Sequence, residues 1–99
     1  MHAEPTVEGE SAVELMTIFR RKHFREDRDG TVQTKLVLSP EEATPFERAL
    51  MRVEAELLLD DARRVGTPDE VYRTPPQRRA DALIALVLRT AAALEAAGS

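Results

Sequence analysis

The sequence contains no cysteine and no tryptophan, and only three phenylalanines and one tyrosine. Without thiols there is no disulfide framework and no thiolate zinc site. With so few rings, the core must be aliphatic. Asparagine is missing, and histidine occurs only as His2 and His23. His23 could titrate near neutrality, but it has no second ligand at metal-binding spacing. Serine is confined to Ser11, Ser39 and Ser99, with no base nearby in sequence, and there is no glycine-rich phosphate loop. The adjacent carboxylates Glu41/Glu42 and Asp60/Asp61 would point about 100° apart on a helix, so they do not converge. Glu54 and Asp61, two turns apart, read as a solvated face with no cleft to perturb them. No catalytic, cofactor-binding or metal-binding residue is therefore assigned. Long apolar runs are missing too. The uncharged stretch Ala82–Leu88 is far below the ~20 residues that cross a membrane. Met1–Gly9 lacks the basic-then-apolar pattern of a secretory signal. The expectation is a soluble, cytoplasmic protein that is not an enzyme, with no cofactor and no membrane contact.

The 99 residues make one domain, which buries about 65% of its unfolded surface. Its net charge of −4 argues against a general nucleic-acid coat. Arginine greatly outnumbers lysine and alanine is abundant, the usage of high-GC coding sequences.

Residues 1–10 are polar and include Pro5, which suggests a disordered N-terminal tail ahead of a single domain over 11–97. Ser11 and Glu14 have capping-box spacing, and Ala12, Leu15, Met16 and Phe19 then share one face of a short helix. Arg20, Arg21, Lys22 and Arg25 form a basic cluster around His23 and Phe24. Two readings stand: a phosphate-contacting patch, or a solvated helix end or strand face balanced by Glu26 and Asp27. Asp29-Gly30 supplies the positive φ of a tight turn, so Lys22–Asp27 and Thr31–Leu38 pair as a hairpin. Val32, Thr34, Leu36 and Leu38 alternate there with Gln33 and Lys35.

Ser39-Pro40-Glu41-Glu42 is another capping box, and Thr44-Pro45-Phe46-Glu47 repeats it five residues on. Proline inside a helix costs ~3 kcal/mol. This spacing predicts one turn over 40–43 and a main helix restarting at Pro45. Phe46, Leu50, Val53 and Leu57 give its apolar stripe, flanked by Ala49 and Leu58. Arg63 and Arg64 complement its C-terminus, and Gly66 ends it. Thr67-Pro68-Asp69-Glu70 caps a short turn around Val71 and Tyr72.

Thr74, followed by Pro75, Pro76 and Gln77, opens the last helix with a capping box. Ala80, Leu83, Ile84, Val87, Ala91 and Leu94 recur at helical spacing, with Leu86 and Leu88 on the flanks and Gly98 as the stop. Arg73 to Leu83, RTPPQRRADAL, resembles the RTPAQRRADAL signature of domain of unknown function 222, the module found upstream of HNH nucleases in high-GC bacteria. Asp29-Gly30-Thr31-Val32 and Leu38-Ser39-Pro40-Glu41 resemble that family's "DGxV … LDPE" segment. The match covers about Lys22 to Leu94. It departs where Val37, Leu38 and Ser39 replace the family's Gly-Arg-Leu-Asp, and the HNH motif would lie beyond this chain. With two His and no Asn, these residues cannot supply HNH catalysis. The resemblance implies a non-catalytic part of such a protein, with another copy or a nuclease-bearing chain as partner.

Arg78 and Asp81, three apart, can pair on the helix surface. Alternatively Arg78, Arg79 and Asp81 form a site for a partner's carboxylate or phosphate, which the arginine fork suits. The final stripe is wider than one antiparallel helix covers, so Leu83, Leu86, Val87 and Leu88 are expected at a homodimer interface. The fold expected is α+β and mainly helical: a short N-terminal helix, a β-hairpin and two long antiparallel helices. The function expected is an interaction or oligomerisation module. The alternative is a small DNA-binding regulator of ribbon–helix–helix type, with Gln33 and Lys35 in the major groove. The acidic charge makes nucleic acid the less favoured partner.

Overall fold

The computed structural model describes residues 4–21, 23–26, 28–30, 32–64 and 73–98, with backbone alone at 23–26 and 32–34. The elements in order are β1 (Thr6–Val7), β2 (Glu10–Ser11), α1 (Ala12–Phe19), β3 (His23–Glu26), β4 (Val32–Lys35), α2 (Pro40–Arg63) and α3 (Pro75–Ala97). The architecture is α+β and mainly helical, as the patterning predicts. Asp61 near the end of α2 meets Arg78 near the start of α3, and Glu56 meets Arg89, so the two long helices run antiparallel.

The expected N-terminal tail is corrected over residues 4–10. Thr6 pairs with Ser11 and Val7 with Glu10 around a two-residue turn. Both turn residues have positive φ, 53° at Glu8 and 78° at Gly9. That is the pattern of the tight hairpin turn whose twist suits the flanking strands. Val7 is buried, and the Ala12 N–H donates to the Pro5 carbonyl at 3.0 Å. A polar segment is ordered here because one apolar side chain reaches the core and two arginines hold the turn. Residues 1–3 lie outside the described residues.

Ser11 caps α1 by accepting from the Glu14 N–H at 3.3 Å. The face α1 buries is Ala12, Leu15, Ile18 and Phe19, with Ile18 in the place expected for Met16. The second hairpin pairs His23 with Lys35 and Glu26 with Val32. Gly30 has the expected positive φ, 85°, while the paired strands are shorter than expected, His23–Glu26 and Val32–Lys35. Beyond β4, Leu36 and Leu38 pack half-buried against the core.

The restart at Pro45 is also corrected. α2 is one continuous helix from Pro40, and Ser39 carries the full reciprocal capping box with Glu42. Thr44 caps nothing; its Oγ1 donates to the Pro40 carbonyl at 3.2 Å. Pro45 removes the N–H that would bond the Glu41 carbonyl, and Glu41 is exposed, where water can substitute. Arg63 stands in the last turn, with Arg64 as the cap. Gly66, the Thr67–Glu70 cap, Val71 and Tyr72 lie outside the described residues.

The core joins Val7, Ala12, Leu15, Ile18 and Phe19 to Ala49 and Val53 of α2 and to Ala82 and Leu86 of α3. Each large aliphatic side chain buried there contributes roughly 1.5–3 kcal/mol. Phe19 meets Phe46 edge-on, with ring centroids 6.0 Å apart. The stripe on α2 is as expected for Phe46, Leu50, Val53 and Leu57, whereas Leu58 is exposed. On α3 the buried line is Ala82, Leu86 and Thr90. Leu83, Val87 and Leu94 flank it half-buried, while Ala80, Ile84 and Ala91 face outward. Thr90 is fully buried, and its hydroxyl donates to the Leu86 carbonyl at 2.7 Å, so no polar group is left unmade. Among the described residues, no helix is long and apolar enough to cross a membrane.

Candidate functional site

Arg73 to Leu83 span the cap and the first turns of α3, fastened to the end of α2. Thr74 accepts from the Gln77 N–H at 3.3 Å, and the Gln77 side chain accepts from the Thr74 N–H at 2.9 Å. This satisfies two donors that the helix start would otherwise leave open. Asp61 of α2 lies 3.4 Å from Arg73 and 3.4 Å from Arg78. Arg73 continues to Asp81 at 3.6 Å, and Arg78 also donates to the Arg73 carbonyl at 3.5 Å. The side chains of Asp61, Arg73 and Arg78 are 12%, 21% and 19% exposed. Partial burial strengthens such contacts over a solvated pair, though the distances exceed those of tight hydrogen bonds. Arg79 reaches Glu54 at 3.1 Å and stays 74% exposed.

The expected pair between Arg78 and Asp81 is corrected. Arg78 turns inward to α2, while Asp81 stays at the surface, so each takes a different partner. Arg78, Arg79 and Asp81 are thus all engaged within the chain: Arg78 and Arg79 join α3 to α2, and Asp81 meets Arg73 just ahead of α3. Of the three, only Arg79 and Asp81 are exposed.

The structure places Arg20 and Arg21 at the exposed end of α1. Arg21 grips both oxygens of Glu42 at 2.6 Å. Glu42 is held below the usual carboxylate range chiefly by the Ser39 N–H; burial opposes this as the next-largest effect, and the Ser39 hydroxyl and Arg21 add to the lowering. Arg25 sits in β3, but its side chain lies outside the described residues, as does Lys22 altogether. Of the four cations, Arg20 and Arg21 alone have described side chains. β4, with Gln33 and Lys35, already pairs with β3 of the same chain, whereas a ribbon reader inserts its strands into a groove.

A second polar cluster gave little sequence signal beyond Gly9. Arg48 holds Glu10 at 2.8 Å, and Arg52 donates to the Glu8 carbonyl. Arg89 of α3 bridges Glu8 at 2.7 Å and Glu56 at 2.9 Å. The Glu56 carboxyl is lowered by hydrogen bonding and attraction to Arg89, whose own affinity for its proton rises chiefly through Glu56. The β1–β2 turn is thereby strapped across α2 and α3. A hollow of about 260 Å³ opens between α1 and α2, lined by Val13, Glu14, Thr17, Ile18, Glu41, Glu42 and Pro45. Among the described residues, no three His, Cys, Asp or Glu side chains are grouped to hold a metal ion.

The candidate interface divides. Leu86 is fully buried within the chain and is not an interface residue; it faces α1 and α2 as part of the core. Leu83 and Val87 are half-buried. Leu88 is 65% exposed and its neighbour Ile84 59%. Residues two apart on a helix point about 200° apart, so burying Leu86 obliges Leu88 to face out.

A family model described as domain of unknown function (DUF222) matches residues 8–99. No curated protein and no solved structure matches the chain.

Proposed function

The chain belongs to the family of the domain of unknown function (DUF222), and we propose that it acts there as a non-catalytic interaction module of the cytoplasm, associating with a second copy through α3. The observation that carries this reading is the outward face of α3, where Ile84 and Leu88 are 59% and 65% exposed. Ala80 and Ala91 extend the same face. A helix apolar on its outer as well as its inner side suits burial on both. Covering Leu88 removes apolar surface worth roughly 1.5–3 kcal/mol. The engagement of Arg78 with Asp61 supports a structural use of the signature arginines over a ligand site. A nuclease-bearing chain is the other occupant the family resemblance suggests.

The test is light scattering on wild type and on Leu88→Glu, with circular dichroism to confirm folding. Wild type should scatter as twice the 11.1 kDa of one chain, and Leu88→Glu as a folded single chain. A wild type that remains monomeric through about 100 μM, a range that catches even weak association, overturns self-association. The α3 face would then go to a different partner.

A further inference from the structure

We infer that α3 of one copy seats on α2 of the other, reciprocally, rather than α3 on α3. The inference rests on the self-association proposed above and names its mating surfaces. α2 also exposes an outer apolar face: Met51, Leu58 and Leu59 are 66%, 52% and 60% exposed. Met51, Ala55, Leu58 and Ala62 recur at intervals of four, three and four, all exposed. That is the spacing of a coiled-coil seam. On α3, Asp81, Ile84, Leu88, Ala91 and Glu95 recur at three, four, three and four, again all exposed.

The two seams differ in the charges at their ends. Asp81 and Glu95 bracket the seam of α3, whereas Arg48 precedes that of α2 and Arg63 follows Ala62. From Arg48 to Ala62 and from Asp81 to Glu95 is the same fourteen-residue span, ~21 Å along a helix. Two α3 seams side by side, or antiparallel about Leu88, set carboxylate against carboxylate. Two α2 seams set arginine against arginine. α3 on α2 sets a carboxylate against Arg48 in either direction, with Arg63 flanking the other end of the seam, which is how flanking charges choose partners. Arg48 already holds Glu10 at 2.8 Å and Asp81 lies 3.6 Å from Arg73, but a guanidinium has five donors and a carboxylate about four acceptor sites, so each can take a second partner. In the antiparallel arrangement Ala55 meets Leu88, Met51 meets Ala91 and Leu58 meets Ile84.

Two reciprocal α3–α2 contacts cover twice the area of one α3–α3 contact, closer to the roughly 800 Å² per partner of a standard interface.

The experiment uses Leu58→Glu and Ile84→Lys, both at exposed positions and both checked by circular dichroism. Each is run alone and in equimolar mixture by sedimentation velocity, at a concentration where wild type is dimeric. Each mutant alone should associate about ten-fold more weakly or worse, since both of its contacts carry the charge. The mixture should regain the dimer, because one contact is native and the other pairs glutamate with lysine. Leu58→Glu dimerising alone while Ile84→Lys does not would assign the contact to α3 on α3; that overturns this inference and leaves self-association standing. A mixture no more associated than its parts overturns it as well. A monomeric wild type overturns the function proposed above, and this inference with it.

Discussion

Leu86 and Leu88 stand two residues apart on one helix and should respond to the same substitution to very different degrees. Leu86 is fully buried and among the largest such side chains, whereas Leu88 is 65% exposed. Leu86→Ala removes three heavy atoms from a packed junction of α1, α2 and α3. Such truncations cost about 2–5 kcal/mol, the upper half applying where the surroundings cannot collapse. Three converging helices leave little room to collapse. The unfolding entropy of about 2.1 cal/mol/K per residue gives about 0.2 kcal/mol/K for a chain this size, so each kcal/mol lowers Tm by about 5 °C. The expected loss for Leu86→Ala is therefore about 15–25 °C, independent of protein concentration. Leu88→Ala should lie within about 0.5 kcal/mol of wild type in dilute solution. It should lose more only where association stabilises the fold, which makes its cost concentration-dependent. The assay is urea and thermal denaturation at about 1 μM and about 100 μM, the two regimes that mass action separates. Equal losses at the two positions in dilute solution would refute the assignment of buried and outward faces on α3.

Four further outcomes follow from local geometry. Ser39→Ala should cost about 1 kcal/mol because Ser39 is the cap of α2, while Thr44→Ala stays within about 0.5 kcal/mol. Pro45→Ala should raise Tm by restoring a donor to the Glu41 carbonyl; a loss of several degrees would contradict the continuous helix. Gly30 has φ 85° with open space around it, so Gly30→Val should cost about 1–2 kcal/mol from backbone strain alone, and an unchanged Tm would deny that conformation. Glu42 and Glu56 both titrate below the ordinary carboxylate value when folded. Their contribution is present above the unfolded pKa and lost as pH falls through the folded one. Tm should thus decline from about pH 5 downward, and less steeply in the Glu42→Gln/Glu56→Gln double variant; identical slopes would contradict it.

Much of the fold is legible where local chemistry leaves one choice. The helix starts at Ser11, Ser39 and Thr74 are marked by side chains that bond their own first turn, and each is used. Asp29-Gly30 marks the second hairpin because glycine alone takes that φ freely. α2 shows its inner face because charged residues border it. α3 does not: nearly every position from Ala80 to Leu94 is apolar except Asp81, Arg89 and Thr90, so periodicity cannot select a face. The one polar residue in the buried line, Thr90, bonds its own helix and so can be core. The β1–β2 turn is hidden because Glu8, unlike Asn or Asp, carries no cue for positive φ. What holds it is arginine from helices 40 and more residues away. The signature arginines leave both surface pair and ligand site open, since Asp61, the partner of Arg78, is 17 residues away and Glu54, the partner of Arg79, is 25. Pro45 misleads because a proline one turn into a helix is tolerated when the carbonyl it strands faces water.

Coverage of the outward apolar face of α3 by a second copy calls for sedimentation equilibrium of wild type from about 1 to about 200 μM, which brackets micromolar association. The weight-average mass should rise from the 11.1 kDa of one chain toward twice that value. A mass fixed at one chain across the whole range would contradict it.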